Sequence, residues 1–374
     1  MDVAVITTRL VDRDAQGNFT EATLIELKKL CRKVVLYTFA WERQPLDVVE
    51  IQFLGGENRH SIAANINALM KTGKLAREFA AYDLLVLAGP DVGVLPAISR
   101  AKRLNPKLRL VWVYHGLTPV EFLPAAKDRW LTRLRKAAYV RSMKGSDLVK
   151  TDSQFTKKEL EQSGIEPEKI VAIPLGIDLQ RFSPGPDDRA IRSKYDACDR
   201  FVLLYVGRLA QGKRVDRLLN TVAQMNDDRI MLIVVGSGPE SDKLEVLARE
   251  LGLQDRVRFA GRVPDAELPN YYRACDAWVT ASDHEGFCVP VLEAMATGKP
   301  VIVPDTAAMP ETAGEAAIVY KPGDLIDLAA GIRRLMQDNI YYETLAKRAC
   351  ANAHSFDIDS VMPEYMNLIM NGRR

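Results

Sequence analysis

The 374-residue chain has little of what marks secreted, disulfide-framed or membrane-spanning proteins. Its 5 cysteines, Cys31, Cys198, Cys275, Cys288 and Cys350, are scattered, and no Cys-x-x-Cys pair occurs. That argues against a disulfide framework and a structural zinc site and points to a reducing, cytoplasmic setting. No apolar run approaches the length of about 20 residues that crosses a bilayer. The start, Met1-Asp2-Val3-Ala4-Val5-Ile6, has no basic segment or cleavage site and reads as a first strand. There is no internal repeat, low-complexity tract or coiled-coil heptad. Neither half carries Gly-x-Gly-x-x-Gly after its first strand, which argues against a nicotinamide-dependent enzyme.

What is present is enough for two ordinary domains: 47% hydrophobic and 27% charged residues, net charge +2. That small net charge conceals an asymmetry. Residues 1–185 carry 28 Lys+Arg against 21 Asp+Glu, and residues 186–374 carry 23 against 28, so the halves stand at +7 and −5. A basic first half suits an anionic acceptor or an acidic membrane surface, since clustered charge raises encounter with phosphate-bearing partners. A solvated surface without function is the plain alternative.

Short apolar, β-branched runs recur between amphipathic stretches at Val3–Thr7, Val34–Tyr37, Leu84–Leu87, Leu110–Tyr114, Leu148–Lys150 and Ile170–Ile173. A second series follows at Phe201–Val206, Ile230–Val235, Val257–Ala260, Ala277–Thr280, Val301–Val303 and Ile318–Tyr320. Strands alternating with helices imply parallel βαβ units. The expected fold class is therefore α/β, with two Rossmann-like doubly wound domains facing a central cleft. Pro, Gly and Asp crowd the segment from Leu175 to Asp188 and mark a connector. The expected domains are residues 1–182 for the acceptor and 183–354 for a nucleotide-sugar donor. A last helical stretch, 355–374, is expected to complete the first domain.

The most informative segment runs from Ser282 through Glu285-Gly286-Phe287-Cys288-Val289-Pro290 and Glu293 to Gly298-Lys299-Pro300. Pro290 suits a first helical turn and Gly298 the residue just past the helix end. The N–H groups of Phe287, Cys288 and Val289 then point where an anion is stabilised. One segment thus offers carboxylates for hydroxyls and amides for a phosphate. A second segment, Val206-Gly207-Arg208 to Gly212-Lys213, reads as a strand end and turn whose two cations can neutralise a departing diphosphate without a metal. Gly236, after the strand ending at Val235, allows close ligand approach. Arg262 and Val263 stand at the next strand end. His115 ends the run Val111–Tyr114, a position favoured for site residues over core ones.

These segments resemble retaining glycosyltransferases of family 4, which have the GT-B fold and two glutamates separated by seven residues, the spacing of Glu285 and Glu293. The resemblance implies that Glu285 contacts hydroxyls of the donor sugar and Glu293 the ribose hydroxyls. It places Arg208 and Lys213 on the pyrophosphate, Arg262 and Val263 near the nucleobase, and His115 near the diphosphate and reacting sugar. Gly17 matches a first glycine loop that approaches donor phosphate or acceptor. Asp305-Thr306-Ala307-Ala308-Met309-Pro310-Glu311 matches a loop that usually carries glycines, so its alanines are a departure.

The expected activity is a retaining transfer of a hexose-type sugar from a nucleotide diphosphate sugar, UDP before GDP, to a hydroxyl of a carbohydrate, lipid-linked or cell-envelope acceptor. The expected catalytic set is His115, Arg208, Lys213 and Glu285, with no cofactor and no metal. Nucleic acid is not an expected partner. The basic stretch from Lys127 to Lys144, with Trp130 and Tyr139, suits peripheral contact with an anionic membrane as well as an ordinary surface helix. A nucleotide-sugar epimerase of similar fold and a non-catalytic nucleotide-sugar binder are the alternatives. A hydrolase would not need the diphosphate cations.

Overall fold

The computed structural model describes residues 1–10, 15–41, 49–55, 61–116 and 126–372. The chain forms two compact units. The first gathers the described residues up to Pro174 together with the segment from Val361, and the second runs from Leu175 to Ser360. The connector expected around residues 175–188 thus falls inside the second unit.

In the first unit the strands are β1 (Asp2–Thr7), β2 (Arg9–Leu10), β3 (Lys33–Thr38), β4 (Ala40–Trp41), β5 (Glu50–Phe53), β6 (Leu84–Ala88), β7 (Arg109–Tyr114), β8 (Leu148–Thr151) and β9 (Ile170–Ala172). Seven of them make one parallel sheet in the order β5-β3-β1-β6-β7-β8-β9, and β2 pairs with β4 beside it. Parallel sheets are covered on both faces, so their strands read as nearly continuous apolar runs. Ala4, Ile6, Tyr37, Leu85, Leu87 and Trp112 pack in one core with Phe79, Ile98, Tyr139 and Met143 from the helices. The alternate set, Val3, Val5, Leu36, Val86 and Val111, is buried as well. Edge strand β5 (Glu-Ile-Gln-Phe) is only partly covered, and its polar residues gave no apolar run to read. The last helix, Ile358–Asn371, brings Tyr365 against Phe19 with ring centroids 4.9 Å apart.

The second unit holds β10 (Phe201–Val206), β11 (Ile230–Val235), β12 (Val257–Gly261), β13 (Ala277–Val279), β14 (Val301–Pro304) and β15 (Ala317–Tyr320), all parallel, in the order β12-β11-β10-β13-β14-β15. In rank within the unit this is the 3-2-1-4-5-6 order of the dinucleotide-binding fold, and both units are Rossmann-like α/β domains. Leu203, Tyr205, Leu232, Val234 and Ile302 meet Leu218, Val222, Leu244, Leu328 and Ile332 of the covering helices. The winding reverses between β10 and β13, so the loops after these two strands diverge from one crevice at the carboxyl ends. That crevice is where open sheets of this kind take ligands. No helix among the described residues is long and apolar enough to cross a membrane.

Candidate functional site

The loops at the reversal of the second sheet are the two segments singled out from the sequence. After β10 come Gly207 and Arg208, then a single 3-10 turn, Gln211–Lys213. After β13 comes the run to the helix Val289–Ala296, whose second residue is Pro290 and whose end is followed by Gly298 in the left-handed region (φ +77°). The helix start and stop signals therefore act where the sequence put them. Cys288, the N-cap, sits at φ +73°, a conformation that costs a β-substituted residue about 1–3 kcal/mol and that persists only when the surroundings enforce it. Val289 opens the helix, so its amide and that of Cys288 have no acceptor within it. Burial pushes the Cys288 thiol well above the usual range, which argues against a thiolate nucleophile.

The two loops are tied side chain to side chain. Lys213 Nζ donates to Glu285 Oε1 at 2.5 Å, and Ser282 Oγ donates to the same oxygen at 3.1 Å. Burial disfavours the Lys213 ammonium, but Glu285 outweighs it and holds the lysine above its ordinary pKa. Asp283 accepts from Arg217 at 2.5 Å and Arg214 at 3.3 Å, and its own N–H donates to the Gly212 carbonyl at 2.9 Å. Arg208 is exposed and close enough to Lys213 to oppose its charge, and its guanidinium has no bonded partner among the described residues, although its carbonyl accepts from the Tyr205 hydroxyl at 3.3 Å. The sequence reading assigned Lys213 to a diphosphate and Glu285 to a sugar. The structure adds that the two are directly paired.

Glu293, on the helix, accepts from the Tyr272 hydroxyl at 2.5 Å. Burial pushes its carboxyl up to about 7, against the opposing pull of Tyr272. At neutral pH this carboxyl is therefore divided between an acid that donates and a carboxylate that only accepts.

The neighbouring strand ends interlock through backbone. Gly207 N–H donates to the Val235 carbonyl at 3.0 Å, and Gly236 N–H to the Gly261 carbonyl at 2.8 Å. A Cβ on Gly236 (φ +132°) would lie 1.9 Å from the Gly207 carbonyl oxygen. Close approach of the Gly207 backbone by itself already requires glycine at 236. Arg262 is exposed and Val263 buried just beyond β12.

The loop Asp305–Ala308 also reports why its pattern matters. Ala307 has φ +52°, and the next N–H, of Ala308, donates to the Glu285 carbonyl at 3.1 Å. Glycine suits that backbone and alanine is strained in it. Ala307→Gly is expected to stabilise the protein by about 1 kcal/mol, because relief of left-handed strain exceeds the added freedom of the unfolded chain. Urea titration checks the change; an unchanged or lower midpoint would show that the surroundings already absorb the strain.

Of the expected residues, Gly207, Arg208, Lys213, Gly236, Arg262, Val263, Glu285, Gly286, Phe287, Cys288, Val289 and Glu293 all lie in the second unit, at or next to the carboxyl ends of its strands. Gly17 and His115 lie in the first. Gly17 is buried in the first turn of the helix Ala15–Leu30 rather than in a loop, a correction to the glycine-loop expectation. His115 follows β7 as expected. Its Nδ1 lies 2.8 Å from Asp152 Oδ2, and Asp152 Oδ1 accepts from Lys150 Nζ at 2.5 Å. Although burial pushes the Asp152 carboxyl upward, His115 and Lys150 hold it below the usual range. Asp152 and Lys150 escaped the sequence reading as partners of His115, and Ser282 and Tyr272 as partners of Glu285 and Glu293. For Lys150 a signal existed: a charge inside a strand that should be apolar throughout, with Asp152 two residues on at the strand end.

Comparisons with known proteins bear on the family and the fold. Residues 16–181 match the model described as Glycosyltransferase Family 4, and residues 187–351 the model described as Glycosyl transferases group 1. The chain is 29% identical over 305 residues to the O-antigen chain mannosyltransferase B of Escherichia coli, covering 73% of this chain and 80% of that one. It is 33% identical over 233 residues to a D-inositol 3-phosphate glycosyltransferase of Geodermatophilus obscurus, covering 58% of this chain but only 52% of that relative. Among solved structures, Anabaena HepE, in complex with UDP and glucose, superposes with a TM-score of 0.81 at 21% identity, over 99% of this chain and 100% of that chain. The chain belongs to the family 4 type of two-domain glycosyltransferases, and it is a glycosyltransferase.

Proposed function

We propose that this enzyme moves a hexose-type sugar from a nucleotide diphosphate sugar, UDP before GDP, to a hydroxyl of a carbohydrate or lipid-linked cell-envelope acceptor, with retention and without a metal ion. The observation that carries the reading is the paired Lys213–Glu285 contact at the reversal of the second sheet, beside a helix N-terminus and Glu293. In this reading Arg208, Lys213 and the amides of Cys288 and Val289 take up the charge of the departing diphosphate. Glu285 accepts hydroxyls of the sugar, Glu293 those of the ribose, and Arg262 and Val263 flank the base. His115 serves the reacting sugar. Support for UDP comes from the HepE complex and for an envelope glycan from the O-antigen relative.

Thermal-shift measurements with UDP, GDP, ADP and their hexose conjugates test the donor. Stabilisation by UDP and its sugars, undiminished by EDTA, is the expected result, since a ligand that binds only the folded state raises its apparent stability. Stabilisation by GDP alone would replace the nucleotide. Dependence on added divalent metal would remove the metal-free part of the reading.

The cytoplasmic, membrane-peripheral placement rests on the helix Ala126–Lys144. Trp130 (59% exposed), Leu131 and Leu134 stand in water among Arg129, Arg133 and Lys136. An apolar wedge ringed by cations fits an anionic bilayer surface. The protein is expected to float with phosphatidylglycerol vesicles at low salt, and Trp130→Ser with Leu134→Ser to lower the bound fraction several-fold. Absence of binding at every salt concentration overturns this placement.

A further inference from the structure

Beyond the donor site, the first unit contains a buried charge network of which the proposed chemistry uses only His115. β7 and β8 run parallel with Tyr114 opposite Thr151, so the next residues, His115 and Asp152, emerge side by side at the carboxyl ends. His115 Nδ1 meets Asp152 Oδ2 at 2.8 Å. Asp152, one residue past the end of β8, lies two residues from Lys150, and Lys150 Nζ reaches Asp152 Oδ1 at 2.5 Å. Lys150 is 0% exposed, and its ammonium lies 4.9 Å from the centroid of the Phe19 ring and 5.8 Å from that of Tyr365. Those rings come from the helices Ala15–Leu30 and Ile358–Asn371. His115 Nε2 is buried and has no hydrogen-bond partner among the described residues.

We propose that Asp152 and Lys150 are positioning residues for His115, fixing its ring so that Nε2 is presented as an acceptor for a sugar hydroxyl. The proposal rests on the reading of His115 as a site residue. An ionised carboxylate only accepts, so the nitrogen facing Asp152 is the one that carries hydrogen. In the neutral ring the lone pair then belongs to Nε2. Lys150 balances the charge of Asp152, so no second cation is required beside that carboxylate. The aromatic rings on either helix hold the ammonium in place through their negative faces. A pair retained for packing alone would fix the same tautomer but would leave the turnover rate unmoved when the acceptor is removed.

Two double variants keep the buried charge balanced and differ only in the acceptor. Lys150→Met with Asp152→Asn retains an oxygen facing Nδ1, whereas Lys150→Met with Asp152→Leu removes it. Imidazole 15N spectra of the wild type are expected to show hydrogen on Nδ1. The asparagine variant should keep this tautomer and transfer sugar within about tenfold of wild type. The leucine variant should lose it and lower kcat about 10²-fold with little change in donor KM. Hydrogen on Nε2 in the wild type, or a leucine variant with wild-type kcat while His115→Ala is impaired, overturns the proposal. If His115→Ala itself transfers normally, the assignment of His115 to the site fails instead, and the wild-type spectrum still decides whether the ring is fixed.

Discussion

Lys213→Met is expected to lower kcat/KM for sugar transfer by about 10²–10³-fold, the usual loss on deleting one preorganised donor to a developing anion, or about 2.7–4 kcal/mol. Methionine keeps most of the side-chain volume, so the loss reports the ammonium rather than a cavity. The contact also predicts how stability and activity separate. Removing Lys213 leaves Glu285 half-buried with Ser282 as its remaining side-chain donor, and an unpaired buried carboxylate is destabilising. Adding Glu285→Gln should therefore recover the melting temperature while transfer stays low. Recovery of both would mean that the pair serves to hold the loops together and that the diphosphate is met elsewhere.

Glu293 gives the second large effect, in pH. A ribose hydroxyl donates most simply to a carboxylate, and burial holds this carboxyl at about 7. From pH 8 to pH 6 the ionised fraction drops from about nine-tenths to about one-tenth, so nucleotide affinity should fall about tenfold on that group's account. The effect on folding has the opposite sign. A carboxyl whose folded pKa lies above its unfolded value favours folding most below the unfolded value of 4.5, and that contribution is lost as pH rises through about 7. The unliganded protein should therefore lose stability over the window in which it gains affinity. Glu293→Gln should flatten both profiles and bind nucleotide weakly throughout. Calorimetric titrations and thermal melts across this range measure the two together; a wild-type affinity that does not vary from pH 6 to pH 8 rules out the carboxylate as the ribose acceptor.

Much of this was legible in the chain itself. Both series of β-branched runs became strands within one or two residues, because a parallel sheet covered on both faces demands them. The start and stop of the helix Val289–Ala296 followed from Pro290 and Gly298 alone. The segment Glu285–Glu293 was legible for a similar reason: loop, helix start and carboxylates are contiguous, so local rules reach all of them. What escaped was non-local. Nothing near Tyr272 announces a bond to Glu293 across 21 residues, and β5 has a polar sequence at a sheet edge. The pairing of Lys213 with Glu285 joins residues 72 apart, and only the strand order β10-β13 makes them neighbours. Lys150 was visible as a charge in a strand with Asp152 just past its end, but their meaning depended on which helices close over that face. Ala307 departed from the family pattern in sequence, and its backbone angle supplies the reason.

The central claim, that the second unit takes the nucleotide at its sheet reversal, is tested most directly by hydrogen exchange of the full chain with and without saturating UDP. Slowed amide exchange is predicted in residues 207–214 and 282–293, and its loss on Lys213→Met or Glu293→Gln. Protection confined to other segments, or none with UDP shown to be bound, would contradict it.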